Sequence, residues 1–253
     1  MGKVIAVTNQ KGGVGKTTTA VNLSACLAVQ GKKVLLVDID PQRNATSGLG
    51  AREGEGPTLY ELLVDPEMDP HEALRKSEVE GLDVLPGSIE LSGAEIELIG
   101  TERREYLVKG VLDRLRGEYD FILIDCPPSL SLLTLNALTA ADSMLVPIQC
   151  EYYALEGVGQ LMNTLMLVRK RLNPGLKIEG VVLTMYDSRT NLSEQVAEEV
   201  RRYFRNQLFK TTIPRNVRLS EAPSHAQPIH LYDPRCAGAQ AYMQLAGELI
   251  RGI

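Results

Sequence analysis

The stretch Lys3-Val-Ile-Ala-Val-Thr-Asn-Gln-Lys-Gly-Gly-Val-Gly-Lys-Thr-Thr18 runs from an apolar strand into a glycine-rich turn and then into a segment of helical period. Gly12, Gly13 and Gly15 let the backbone curl so that successive N–H groups converge on one point. A helix opening near Lys16 adds the positive end of its dipole to the same point. Such a turn is a cradle for phosphate oxygens. Lys16 would reach the β- and γ-phosphates, and the Thr17 hydroxyl would take a Mg2+ ligand position. The strict phosphate-loop pattern G-x-x-x-x-G-K-[ST] is met at Gly15-Lys16-Thr17, but its leading glycine is Gln10 here. The physics of the loop survives that mismatch, and a ligand-free glycine turn is the weaker reading of so many glycines and lysines between strand and helix.

Outward from this loop, short apolar runs alternate with longer segments of helical period. Strands are expected at Val4–Thr8, Val34–Asp38, Leu82–Leu85, Phe121–Asp125, Ser143–Ile148 and Ile178–Met185, with a short one near Lys210–Ile213. Several are unbroken Val, Ile and Leu runs, as in a parallel sheet covered on both faces. Helices are expected at Lys16–Gln30, Ile89–Ile99, Glu102–Arg116, Leu130–Ala141, Leu155–Leu172, Leu192–Gln207 and Gly238–Arg251, and Gly48–Pro57 is expected to be a loop. The alternation predicts one doubly wound α/β domain over residues 1–253, a mostly parallel sheet with helices on both faces. Asp38 and Asp40 end the second long strand two residues apart, so both carboxylates leave the same face.

Lys11-Gly-Gly-Val-Gly-Lys-Thr17, Leu36-Val-Asp-Ile-Asp-Pro-Gln42 and Ile122-Leu-Ile-Asp-Cys-Pro-Pro-Ser129 together resemble the deviant Walker A, or ParA/MinD, family of P-loop ATPases. Gln149–Gly157 and Ile213–Ser224 resemble its short chromosomal ParA subgroup more than MinD, and the likeness covers nearly the full chain. The resemblance implies an ATPase using ATP and Mg2+. It assigns nucleotide contacts to Lys11, Gly12, Gly13, Val14, Gly15, Lys16, Thr17 and Thr18, with Lys11 reaching the partner's phosphates in a nucleotide-sandwich dimer. Asp40 would position the attacking water. Thr17 and Asp125 would hold Mg2+, with Asp38 supporting its shell. Met185, Pro214 and Asn216 would lie close to the adenine. The short form binds DNA without sequence preference, which carries over to Arg189 and Arg218 with Arg201, Arg202, Arg205 and Arg215 as neighbours. It further implies a ParB-type centromere-binding partner, an ATP-dependent homodimer, and a cytoplasmic, nucleoid-associated protein.

The net charge of −5 argues against a polyanion partner until it is divided along the chain. Residues 1–150 carry 14 basic and 22 acidic side chains, whereas residues 151–253 carry 13 and 10. Between Glu199 and Glu221 lie six basic residues and no acid, a strip that can hold phosphates. In Leu192–Gln207 the stripe Leu192, Val196, Val200, Tyr203 and Phe204 is expected to face the core. Glu198 is placed to pair with Arg202, and Arg205 has no acid three or four residues before it.

Two positions depart from the family pattern. Arg43 stands where glycine usually follows Asp-Pro-Gln, and Ser224-His-Ala-Gln-Pro228 replaces Ser-His-Gly-Lys-Pro. The first puts a side chain where a glycine backbone angle is expected; the second removes a glycine and a cation, predicting weaker DNA binding. Other classes are disfavoured. No apolar run reaches the ~18 residues of a membrane span, and nothing resembles a secretion signal. The four cysteines lie far apart without a C-x-x-C pair, which points to reduced thiols rather than zinc or disulfides. A MinD-like membrane-cycling ATPase needs a basic amphipathic C-terminal helix, yet Gly238–Arg251 carries one basic residue, Arg251, and core-like spacing. A metabolic or electron-transfer relative using the same loop is the remaining alternative.

Overall fold

The apolar runs become the strands of a single sheet in the computed structural model of the chain, which describes residues 1–51, 56–151 and 154–252. In chain order the first half comprises β1 (Lys3–Val7), α1 (Lys16–Val29), β2 (Val34–Asp38), α2 (Asn44–Gly48), α3 (Leu59–Val64), β3 (Arg75–Lys76), β4 (Leu82–Leu85) and α4 (Leu91–Glu97). Then follow α5 (Leu107–Leu115), β5 (Phe121–Asp125), α6 (Leu132–Ala140), β6 (Ser143–Gln149), α7 (Ala154–Arg171) and β7 (Lys177–Thr184). The chain closes with α8 (Asn191–Phe204), α9 (Val217–Glu221), α10 (Ile229–Tyr232) and α11 (Ala237–Arg251). The sheet order is β3-β4-β2-β5-β1-β6-β7, with every pairing parallel except that of β3 with β4.

Alternation of side chains across each strand sorts the core into two layers. Val4, Ala6, Leu35, Val37, Ile122 and Ile124 pack with residues of α3 to α8. Ile5, Val7, Val34, Leu36 and Leu123 pack with α1, α2, α9, α10 and α11. Each Val, Leu or Ile side chain among them contributes about 1.5–3 kcal/mol on removal from water. Because both faces are covered, the strands carry no polar alternation. Register then positions the chemistry. Val7 pairs with Asp125, and Asp125 pairs with Asp38, so three adjacent strands end level and the loop after β1 meets two carboxylates.

The expected strand at Lys210–Ile213 does not form. The segment runs beside β7 with isolated bridges at Val181–Leu208 and Tyr186–Pro214. The backbone N–H groups of Lys210 and Thr211 donate to the Glu248 carboxylate of α11, at 2.8 and 3.0 Å, and so are withdrawn from a ladder. The helix expected at Ile89–Ile99 is shorter, closing in a 3-10 turn at Leu98–Gly100, and Ile89, Ile96 and Ile99 are exposed. In α8 the buried stripe is Ser193, Val196, Ala197, Val200 and Phe204. Leu192 and Tyr203 are exposed, one position to the side of that stripe. Helix α3 was not expected, although Thr58 and Glu61 form a reciprocal capping box whose spacing is visible in the sequence. Residues 52–55, within the expected Gly48–Pro57 loop, and Tyr152 and Tyr153 lie outside the described residues.

Candidate active site

The loop between β1 and α1 takes the shape its glycines permit. Gly13 and Gly15 have φ of 75° and 86°, in the left-handed region, and Gly15 caps α1 without any side-chain hydrogen bond to the helix end. The first N–H groups of α1 therefore remain for a ligand. Neighbouring strand ends pin the loop: the Thr184 hydroxyl donates to the Val14 carbonyl at 2.8 Å, and Asn9 ties the Lys11 N–H (3.1 Å) to the Pro147 carbonyl (2.8 Å). The Lys16 ammonium donates to the Lys11 carbonyl at 3.1 Å and is only 7% exposed. Burial lowers its pKa, against the pull of the Asp125 and Asp40 carboxylates.

Asp125 is the most unusual group in the molecule. It is fully buried, and neither carboxylate oxygen has a hydrogen-bond partner among the described residues. The Thr17 hydroxyl sits close enough to weigh on its titration without forming a hydrogen bond. Desolvation pushes the Asp125 pKa well up, the negative charges of Asp38 and Asp40 add to this, and Lys16 opposes it. A buried carboxyl group left without a hydrogen bond beside a hydroxyl at a phosphate cradle fits a divalent cation, which would favour its ionised form, with Thr17 and Asp125 as the holding groups. Asp38 is built differently. Its Oδ1 accepts the Asp40 N–H at 3.1 Å, and its Oδ2 accepts the Thr46 N–H at 2.8 Å and the Thr46 hydroxyl at 2.7 Å. Burial still raises its pKa to about 6 despite these donors. Any contribution of Asp38 to a metal shell would thus be indirect. Asp40 is 7% exposed; its Oδ1 accepts the Gln42 N–H at 2.9 Å, and its Oδ2 has no hydrogen bond among the described residues.

Lys11 faces Glu151 at 3.5 Å within this single chain. Pro214 is bridged to Tyr186, the residue after Met185: the Tyr186 N–H donates to the Ile213 carbonyl (3.0 Å), and the Tyr186 carbonyl accepts the Arg215 N–H (3.2 Å). Met185 adopts φ of 50°, and the Asn216 side-chain oxygen is committed to capping α9 through the Arg218 N–H at 2.8 Å.

The six candidate DNA-binding arginines separate into groups. Asp187 pairs with Arg189 at 2.7 Å and also feels Arg215. The hydrogen bonds from Arg189 hold the Asp187 carboxyl down at about 2. Arg201 pairs with Glu194 at 3.0 Å, and Glu194 accepts the Tyr186 hydroxyl at 2.6 Å, which joins Arg201 to the same cluster. Arg218, on α9, pairs with Glu221 at 2.8 Å and Asp233 at 3.5 Å. Arg202 pairs with Glu198 at 3.8 Å, as its spacing predicted. Arg205 ends α8 at the opposite end of the sheet, where the 3-10 turn Arg205–Gln207 packs near the start of β7. Helix α8 rises ~1.5 Å per residue, so about 20 Å separates Arg205 from the top of the sheet.

Sequence reasoning passed over Thr46, Gly87 and Thr184. A Cβ on Gly87 would lie 2.7 Å from the Asp38 carbonyl oxygen, so the loop after β4 presses directly on the aspartate pair. The tripeptide Pro86-Gly87-Ser88 after an apolar run was the available signal. At the two departures from the family pattern, Arg43 and Ala226 have φ of 56° and 54°, both in the region glycine prefers.

A family model described as an AAA domain matches residues 2–178. The sporulation initiation inhibitor protein Soj of Bacillus subtilis is 62% identical over 250 residues, 98% of either chain. The chromosome partitioning protein ParA of Myxococcus xanthus is 53% identical over 99% of this chain and 89% of its own. Among solved structures, cobyrinic acid a,c-diamide synthase from Mycobacterium smegmatis with bound ADP and magnesium is 41% identical, with a TM-score of 0.86 over 99% of this chain and 95% of that one. With the glycine cradle, its two lysines and three strand-end aspartates in place, such full-length identity means that the chain belongs to the ParA/MinD family of P-loop ATPases, among the Soj and ParA proteins.

Proposed function

We propose that this chain is a chromosome-partitioning ATPase that hydrolyses ATP with Mg2+, dimerises around the nucleotide, and in that state holds DNA without sequence preference. The observation that carries the ATPase reading is Asp125, a buried carboxylate without a hydrogen-bond partner among the described residues, at the end of the strand that pairs with β1, which leads into the loop that presents Lys16 and Thr17. The loop N–H groups and Lys16 bind the phosphates. Thr17 and Asp125 hold the cation, which when bound offsets charge on the phosphate oxygens. Asp40, with one oxygen spent on its own turn and the other uncommitted among the described residues, orients the attacking water. Lys11 leaves Glu151 to reach the partner's phosphates, and Met185, Pro214 and Asn216 border the base.

The DNA surface rests on Arg189, Arg215, Arg218 and Arg201, which cluster around Tyr186, Asp187 and α9. Contacts of this kind are phosphate-directed and weaken steeply with salt. Dimerisation doubles the patch, so hydrolysis releases the DNA. A ParB-type protein fits as the hydrolysis-stimulating partner, and DNA binding would make the protein nucleoid-associated. No helix among the described residues is long and apolar enough to cross a membrane, and α11 buries Tyr242, Leu245 and Leu249 in the core layer it shares with α1. That leaves little apolar surface for a MinD-like membrane cycle.

The test is a gel shift on non-specific duplex DNA, with ATP, ADP or no nucleotide across a salt series, alongside sedimentation. ATP-dependent binding and a dimer, both lost in Lys16→Ala, are expected. DNA binding that ignores nucleotide, or a monomer under ATP that still shifts DNA, would overturn the reading.

A further inference from the structure

Asp38 and Asp40 do not hold their own positions. Asp38 ends β2 with its carboxylate fully buried, and three donors satisfy it: the Asp40 N–H, the Thr46 N–H and the Thr46 hydroxyl. Thr46 is itself buried, on the short helix α2, and its hydroxyl oxygen accepts the Gly87 N–H at 3.0 Å. The direction of this chain is forced. A backbone N–H can only donate, so the Thr46 oxygen accepts from Gly87 and must spend its one proton on Asp38. Asp38 Oδ1 is then free to take the Asp40 N–H. Three separate segments, the end of β2, α2 and the loop after β4, are therefore locked through one hydroxyl. Asp40 is fixed at two points, its N–H on Asp38 and its Oδ1 on the Gln42 N–H, which leaves Oδ2 aimed by the turn rather than by the side chain's own rotamers.

We infer that Thr46 is a positioning residue for hydrolysis: through Asp38 it holds the Asp40 carboxylate in the orientation that serves the attacking water. The inference rests on the ATPase reading and on Asp40 as the group that faces water. Preorganisation of this sort acts on turnover far more than on binding, because the phosphates are held by the β1–α1 loop and not by α2. Valine at position 46 keeps the shape and removes the proton that reaches Asp38. Serine keeps the proton and removes only a methyl group.

The experiment measures kcat and KM for Mg-ATP hydrolysis by the full chain as wild type, Thr46→Val, Thr46→Ser and Asp40→Ala, with nucleotide affinity from a fluorescent ATP analogue and Tm for each. Thr46→Val is expected to lose at least about tenfold in kcat with KM and analogue affinity within threefold of wild type, and Thr46→Ser to stay within twofold in kcat. Asp40→Ala is expected to bind ATP and fail to hydrolyse it. Wild-type kcat in Thr46→Val, with Asp40→Ala inactive, overturns the role of Thr46 and leaves Asp40 standing. Equal losses of kcat in the serine and valine variants also overturn it, since packing rather than the hydroxyl would then matter. Wild-type turnover in Asp40→Ala removes the group that Thr46 is said to position, and both fall. Should Thr46→Val not fold, Thr46→Ser decides: it folds with near-wild-type kcat, or the hydroxyl argument is refuted.

Discussion

Gly87→Ala is expected to damage stability and turnover together, by an amount that can be worked from the contacts. The added methyl carbon would sit 2.7 Å from the Asp38 carbonyl oxygen and 3.3 Å from both Asp38 Cγ and the Asp40 carbonyl oxygen. Relief requires a displacement of roughly half an ångström, because close-packed interiors leave no slack. Strand β2 cannot supply it, being paired with β4 on one side and β5 on the other. The loop must move instead, which stretches the Gly87 N–H bond to Thr46 from 3.0 Å and strains the Leu59 N–H bond to the Pro86 carbonyl at 2.9 Å. Overpacking costs about 1–3 kcal/mol, and a weakened buried hydrogen bond adds about 1 kcal/mol. At about 2–4 °C per kcal/mol for a chain of this size, Tm should fall by about 4–16 °C. Differential scanning fluorimetry and steady-state ATPase measurements read the two effects. Gly110→Ala is the matched control: it lies within α5, its added Cβ meets nothing within 4 Å, and it should be neutral or stabilising by up to about 1 kcal/mol. A Gly87→Ala protein within about 2 °C of wild type and with unchanged turnover would refute the argument that this loop clamps the aspartates.

Ala226→Gly should stabilise the chain by about 0.5–1 kcal/mol, since relief of a left-handed alanine (roughly 1–2 kcal/mol) exceeds the added unfolded-chain entropy; a lower Tm by calorimetry would contradict this. Arg218→Glu should abolish ATP-dependent duplex binding, and Arg205→Glu, at the far end of α8, should leave it within about twofold. Equal losses in the two variants by gel shift would move the DNA surface. His71 bridges Glu118 and Asp69, each at 2.7 Å, and the hydrogen bond to Glu118, followed by that to Asp69, raises its pKa. A raised histidine stabilises the fold below its unfolded value near 6.5, and the effect disappears as pH rises through the folded value. Wild type should therefore exceed His71→Gln in denaturant midpoint at pH 5.5 and match it at pH 9, by less than about 1 kcal/mol because the pair is half exposed. An advantage that persists at pH 9 would refute the linkage.

The legibility of this protein followed the range of the interactions involved. The phosphate loop was readable because glycine conformational freedom and a helix end are local properties, and Gly13 and Gly15 adopt the left-handed angles that such a turn requires. The strands were readable because burial on both faces leaves unbroken apolar runs. The Lys210–Ile213 strand was not, since its N–H groups go to Glu248, 38 and 37 residues away in the chain. The arginines show the same divide. The Arg202–Glu198 pair lies at i, i+4 and was anticipated, whereas the grouping of Arg189 with Arg215 required the pairing of Tyr186 with Pro214.

From the residues alone came the fold class, the phosphate cradle and the aspartates at strand ends, all set by neighbours within a few positions, while the glycine angle at Arg43 came from the family resemblance. Only the tertiary structure decided that Asp125 is a buried carboxyl with no hydrogen-bond partner among the described residues while Asp38 is saturated by Thr46 and Asp40, and that Arg205 lies at the far end of α8 from Arg189 and Arg215. Both aspartates end apolar strands and look alike in one dimension. Their difference is a matter of which donors the packing of α2 and the Gly87 loop brings within hydrogen-bond reach, and no local pattern encodes that.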